Sequence, residues 1–147
     1  MSERSEGDDF WVEERPFLVD FGQKSTSELD ELTQALGNVL GWTPRSSIML
    51  AAMCNDRRDH QLLAQLCLRL ASMFDGVVDF GGELLSEPIL NRSAPTTAVR
   101  VVAPSGLNGR LFAISYMTAN GEYATSHLGD APFLASWIND PRFQMVK

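Results

Sequence analysis

The chain has 147 residues, 44% of them hydrophobic and 21% charged, with a formal net charge of −7. That length and balance suit one folded domain with a real core, and no run of about 18 apolar residues exists to span a membrane. An acidic chain lacks the basic footprint that phosphate recognition needs, so nucleic acid is excluded as the expected partner.

The opening MSERSEGDDF is polar and acidic, without the basic start and apolar stretch of a secretory signal, so the expected location is cytoplasmic. Residues 1–9 have almost nothing to bury and read as a frayed acidic tail. Charge is unevenly spread: Met1 to Glu31 holds ten acidic and three basic residues, while Leu32 to Lys147 holds nine of each. All of the excess lies in the first fifth of the chain, where it would attract a basic protein surface and speed that encounter.

Phe17 to Phe21 reads as a first strand between Pro16 and Gly22. Ser25 and Glu28 then carry the S-x-x-E spacing of a capping box. Leu29, Leu32, Leu36, Val39 and Leu40 follow at helical spacing, and Gly41 is a terminator. The run IMLAAMC, Ile48 to Cys54, is continuous and apolar, as expected of a central strand covered on both faces or of a short buried helix, which has the same signature. Asn55 or Asp56 can cap a second helix whose stripe is Leu62, Leu63, Leu66, Leu70 and Met73. Cys67 falls within that helix; Cys54 and Cys67 have no metal-ligand spacing and read as small reduced core residues.

The stretch FDGVVDFGGEL, Phe74 to Leu84, resolves into three parts. Gly76 is placed to end the helix in the left-handed region, Val77 to Phe80 is a short strand, and Gly81-Gly82 is a turn or a close backbone approach. Asp79, inside the apolar strand, must face solvent or find a partner. Ser86 to Pro95 reads as a loop or an edge, and Thr97 to Ala103 as a strand. Leu111 to Thr118 and Tyr123 to His127 flank an Asn120-Gly121 pair, the strongest hairpin signal present. Asp130 caps a last short helix, with Pro132 in its first turn and Phe133, Leu134, Trp137 and Ile138 on its apolar side. The fold class is α+β: a mixed or antiparallel sheet packed on two amphipathic helices, with a C-terminal hairpin and short helix. A right-handed β-α-β-α-β start is compatible with the order of elements.

No constellation carries catalysis. Gly76, Gly81 and Gly82 match neither G-x-G-x-x-G nor the P-loop. Asp75, Asp79 and Glu83 recur every four residues, but across a helix end, a strand and a turn, so they do not share a face. His60 and His127 are the only histidines, which leaves no expected metal site and no cofactor. Ser126-His127 near Asp130 has triad residue types without a nucleophile elbow. Trp137 reads as core, whereas Trp11 and Trp42 are open to use as interface anchors.

Two stretches carry a resemblance: CNDRRDHQLLAQLCLRLASMFDGVVDFGGEL, and HLGDAPFLASWINDPRFQMVK with its His127, Phe133-Leu134, Trp137 and Pro141-Arg142-Phe143. From about residue 48 onward the chain resembles a bacterial family, domain of unknown function 6368. Small acidic proteins of this kind look like immunity proteins encoded beside polymorphic or type VI secreted toxins. The resemblance implies a toxin-neutralising partner and supplies no catalytic residue. The expected function is therefore occlusion of a toxin's active site, with a basic cleft meeting Asp20, Glu28, Asp30, Glu31, Asp79 and Glu83, and Trp42 as anchor. The alternatives are a small enzyme using His127 with a nearby carboxylate, and a self-associating regulatory module.

Overall fold

The computed structural model describes residues 8–23, 31–84, 98–102, 106–117 and 119–145. Its strands are β1 (Asp8–Val12), β2 (Arg15–Gln23), β3 (Ser46–Ala52), β4 (Val77–Asp79), β5 (Ala98–Val102), β6 (Leu111–Met117) and β7 (Tyr123–Asp130). Its helices are α1 (Glu31–Leu40), α2 (Arg57–Phe74) and α3 (Ala131–Ile138). Two antiparallel sheets result: sheet A, in the order β1-β2-β3, and sheet B, in the order β4-β7-β6-β5. The class is α+β, and α3 follows β7 directly.

Sheet B carries the core because both of its faces are covered. Phe112, Ile114 and Leu128 meet Leu36 and Leu40 of α1 on one side. Leu111, on the opposite face by strand alternation, joins Ala64 of α2, Phe133, Leu134 and Trp137 of α3, and Phe80, Leu84 and Met145. Trp137 stacks on Phe133 at 6.2 Å, meets Phe143 edge-on, and donates its indole N–H to the Gln144 carbonyl at 3.0 Å. An aromatic this large is buried only with its polar atom satisfied.

The helix ends follow their side chains. Asp56 accepts the Asp59 amide while the Asp59 carboxylate accepts the Asp56 amide, a reciprocal capping box. Asp130 caps α3 by accepting the Phe133 amide at 2.9 Å, and the same oxygen accepts the Arg110 amide. Gly41 ends α1 at a φ of 83° and donates its N–H to the Gly37 carbonyl. The capping box expected at Ser25 and Glu28 lies outside the described residues, as does the segment Ser86 to Pro95.

Several expectations are corrected. β3 is not a central strand: it is an edge of sheet A, and Ser46 to Met49 are exposed. The β-α-β start is not parallel either, since β2 and β3 pair antiparallel and β4 belongs to the other sheet. The left-handed residue at the end of α2 is Asp75, with φ 49° and ψ 39°, and Gly76 only donates its N–H to the Ala71 carbonyl. Met73 is exposed, because the last turn of α2 projects past its neighbours along with Phe74 and Asp75. Cys54 is exposed rather than a core residue, since it follows the end of the edge strand; Cys67 is largely buried.

Strand β1 opens at Asp8, inside the stretch read as a tail. It reaches β2 through a two-residue turn, Glu13-Glu14, between the paired Val12 and Arg15. Both glutamates have positive φ, 48° and 64°, the pattern of a hairpin turn that usually selects Asn-Gly. Ion pairs fix the tip on α2: Glu13 accepts from Arg58, and Arg15 donates to Asp56 at 2.7 Å and to the buried Asp59 at 2.8 Å.

Candidate protein-interaction surface

Pairing register sorts sheet A into two faces. Phe10, Phe17 and Ala52 stand in one row, with Arg15 on the same side of β2. That side turns inward: Phe17 is fully buried against Phe10 at 5.6 Å, and Arg15 reaches the start of α2. The opposite face carries Trp11, Leu18, Asp20, Met49 and Ala51, with Leu18 opposite Ala51 and Asp20 opposite Met49. Trp11 is 69% exposed and Met49 52%.

Exposed apolar side chains concentrate on and beside sheet A, with Trp11 and Met49 on this face and Phe21 and Ile48, opposite each other in register, on the Phe17 side. Among the described residues nine large hydrophobic side chains are exposed, and six of them are Trp11, Phe21, Ile48 and Met49 on sheet A, with Trp42 and Met53 flanking β3. Single exposed hydrophobes need no explanation, but a group built from Trp, Phe, Met and Ile on one sheet has the composition of a contact surface. Asp20 brings a carboxylate into it, with one oxygen accepting the Phe21 amide at 2.9 Å.

The residues expected to bind a partner do not form one cluster. Asp20 and Trp42 belong to the sheet A region, and Trp42 is exposed just before β3. Glu28 and Asp30 lie outside the described residues; Glu31 opens α1, and its side chain is likewise outside them. Asp79 ends β4 of sheet B, exposed, and accepts the Gly81 amide at 2.8 Å and the Ser126 hydroxyl at 3.5 Å. Its polar position in an apolar strand is thus explained by the turn it closes. Glu83 is exposed on an open cleft of about 530 Å³ lined by Asn55, Arg57, His60, Phe143, Gln144 and Met145.

Both histidines are tied to backbone. His127 is fully buried, and its Nδ1 accepts the Leu84 amide at 2.8 Å. Its own N–H and carbonyl bond Gly82 and Phe80, so it pins the turn after β4 onto β7. His60 Nδ1 accepts the Met145 amide at 3.0 Å, which leaves Nε2 to donate to Asn55 Oδ1 at 2.8 Å. An accepting Nδ1 fixes the neutral tautomer in each ring. Burial pushes the Cys67 thiol up to about 11, which keeps it protonated and unreactive. Among the described residues, no group of three or more His, Cys, Asp and Glu is placed to hold a metal ion, and no helix is long and apolar enough to cross a membrane.

Sequence reasoning missed the contribution of β1 and the tip of its hairpin. Trp11 was visible as a candidate anchor, but nothing in Glu13-Glu14 signals a turn. The apolar exposure of β3 was likewise hidden, because a run such as IMLAA predicts the reverse.

A family model described as "Family of unknown function (DUF6368)" matches residues 2–147. The chain belongs to that family. The match takes in both sheets and all three helices, so the open face of sheet A lies within the family's common region. No curated protein and no solved structure matches the chain.

Proposed function

We propose that this chain is an immunity protein: it binds a cognate bacterial toxin and blocks the toxin's active site, using the open face of sheet A. The observation that carries the reading is the exposure of Trp11 and Met49 on that face, with Trp42 and Met53 exposed on either side of β3. Tryptophan and methionine at such a site supply contact area and adaptability. The acidic excess between Met1 and Glu31 supplies long-range attraction for a basic cleft, so charge acts on the rate of encounter and the apolar face on its lifetime. Neither a nucleic acid nor a membrane surface offers that combination of charge and shape.

The test is co-purification of the tagged chain from its native host through a moderate-salt wash, then measurement of the partner's toxic activity with and without it. The expected outcome is one stoichiometric partner whose activity is lost in the complex. Trp11→Ala should weaken the purified complex about tenfold or more. Asp20→Lys should slow association and reduce its dependence on salt. Recovery of the chain without such a partner, while its neighbouring genes are expressed, overturns the reading.

A further inference from the structure

Sheet edges are normally protected, because unpaired N–H and C=O groups recruit other strands. The described elements leave four edges, and three of them are short or carry charged residues in their sequence. β1 has Asp8 and Asp9 in its sequence, β4 is three residues long and ends in Asp79, and β5 is centred on Arg100. β3 has none of these devices. It is seven residues long, SSIMLAA, with no charge and no proline, and its first four residues are exposed.

We propose that β3 pairs antiparallel with β3 of a second copy of this chain across a twofold axis, joining two sheets A into one continuous sheet of order β1-β2-β3-β3-β2-β1. The paired strands would run about 24 Å alongside each other. Centring the axis on Met49 pairs all seven residues: Ile48 faces Leu50 of the copy, Ser47 faces Ala51, and Ser46 faces Ala52. Each pair keeps its own face of the sheet, because the register is odd about a single residue.

The occupant follows from charge and from closure. An uncharged strand meets its own copy without like charges opposed. Pairing β3 with β1 of another copy would propagate an open filament, whereas like-with-like pairing closes. A twofold β3 contact uses the unguarded edge of both chains and stops there. It also accounts for the sequence of β3: an apolar run suited to a strand with neighbours on both sides has one strand neighbour, β2, among the described residues.

The experiment is light scattering on the full-length protein over a hundredfold concentration series. The mass should rise from 16.3 kDa towards twice that value. Added salt should strengthen the association, because both copies carry a charge of −7 and screening removes repulsion; toxin binding through opposite charges would weaken under the same change. Met49→Lys and Met49→Glu should each weaken the dimer tenfold or more, while mixing the two at low salt should restore it. Circular dichroism establishes that each variant is folded, and amide exchange across β3 should slow with concentration in the parent but not in Met49→Lys. A constant mass of 16.3 kDa at the highest soluble concentration, growth beyond a dimer, or a Met49→Lys protein that dimerises like the parent would overturn the proposal. Because toxin capture is tested at Trp11 and Asp20, failure of one idea leaves the other standing.

Discussion

Gly109 occupies a position that only glycine fits. Its φ is 71°, and a Cβ there would lie 2.2 Å from the Phe133 amide nitrogen and 2.4 Å from Asp130 Oδ1. Backbone strain and collision with the cap of α3 act together, so Gly109→Ala should destabilise the protein by about 3 kcal/mol or more, read as a lowered denaturant midpoint. The two cysteines should separate cleanly: at neutral pH a thiol reagent should modify the exposed Cys54 in the native protein, and Cys67 only on unfolding. Equal rates at both would mean that α2 opens far more readily than its packing implies. The sequence showed Asp130 as a cap and Trp137 as core, since each role rests on neighbours a few residues away. It could not show that Gly109 lies under α3 or that His127 holds the Leu84 amide, because both depend on chain segments that meet only in three dimensions.

The elements that were legible are those with a local cause. Asp56 before an amphipathic run, Asn120-Gly121 between two strands, and Pro132 after Asp130 each specify their own geometry. The β1–β2 hairpin has no such cause. Glu13 and Glu14 occupy left-handed positions that cost about 1 kcal/mol or more each, and the hairpin is held by Asp56, Arg58 and Asp59 at the start of α2. Glu14→Gly should therefore stabilise the fold by about 0.5–1 kcal/mol, measured by chemical denaturation, with the ion pairs of Glu13 and Arg15 intact. A loss of stability would show that the turn is not left-handed in solution. β3 was misread for a related reason: periodicity reports how apolar a strand is and says nothing about which neighbours it finds.

For the whole molecule, acid should act through two carboxylates whose partners are arginines, the exposed Asp56 and the half-buried Asp140. Hydrogen bonds from Arg15, and then the Asp59 backbone, hold Asp56 at about 2, below its ordinary 3.8. Hydrogen bonds from Arg142 side chain and backbone bring Asp140 to the same value. A depressed carboxylate stabilises the fold fully above its unfolded value and loses that contribution as pH falls. The melting temperature should accordingly drop between pH 3.8 and about 2 from these groups. Arg15→Gln with Arg142→Gln should flatten that part of the profile, and an unchanged acid limb would remove both pairs from the account. Solvent screening keeps the effect modest.

The path of α1 has a further consequence. β2 and β3 lie side by side, yet the chain between them is fastened elsewhere, with Leu36 and Leu40 against Phe112, Ile114 and Leu128 of the other sheet. A chain synthesised from its N-terminus folds with what has already emerged. When β3 leaves the ribosome, the apolar side of α1 has nothing to rest on, because its cover is some seventy residues from being made. The first sheet thus acquires its final link only when translation is nearly over, and Phe112 and Leu128 set the moment at which the N-terminal third stops searching.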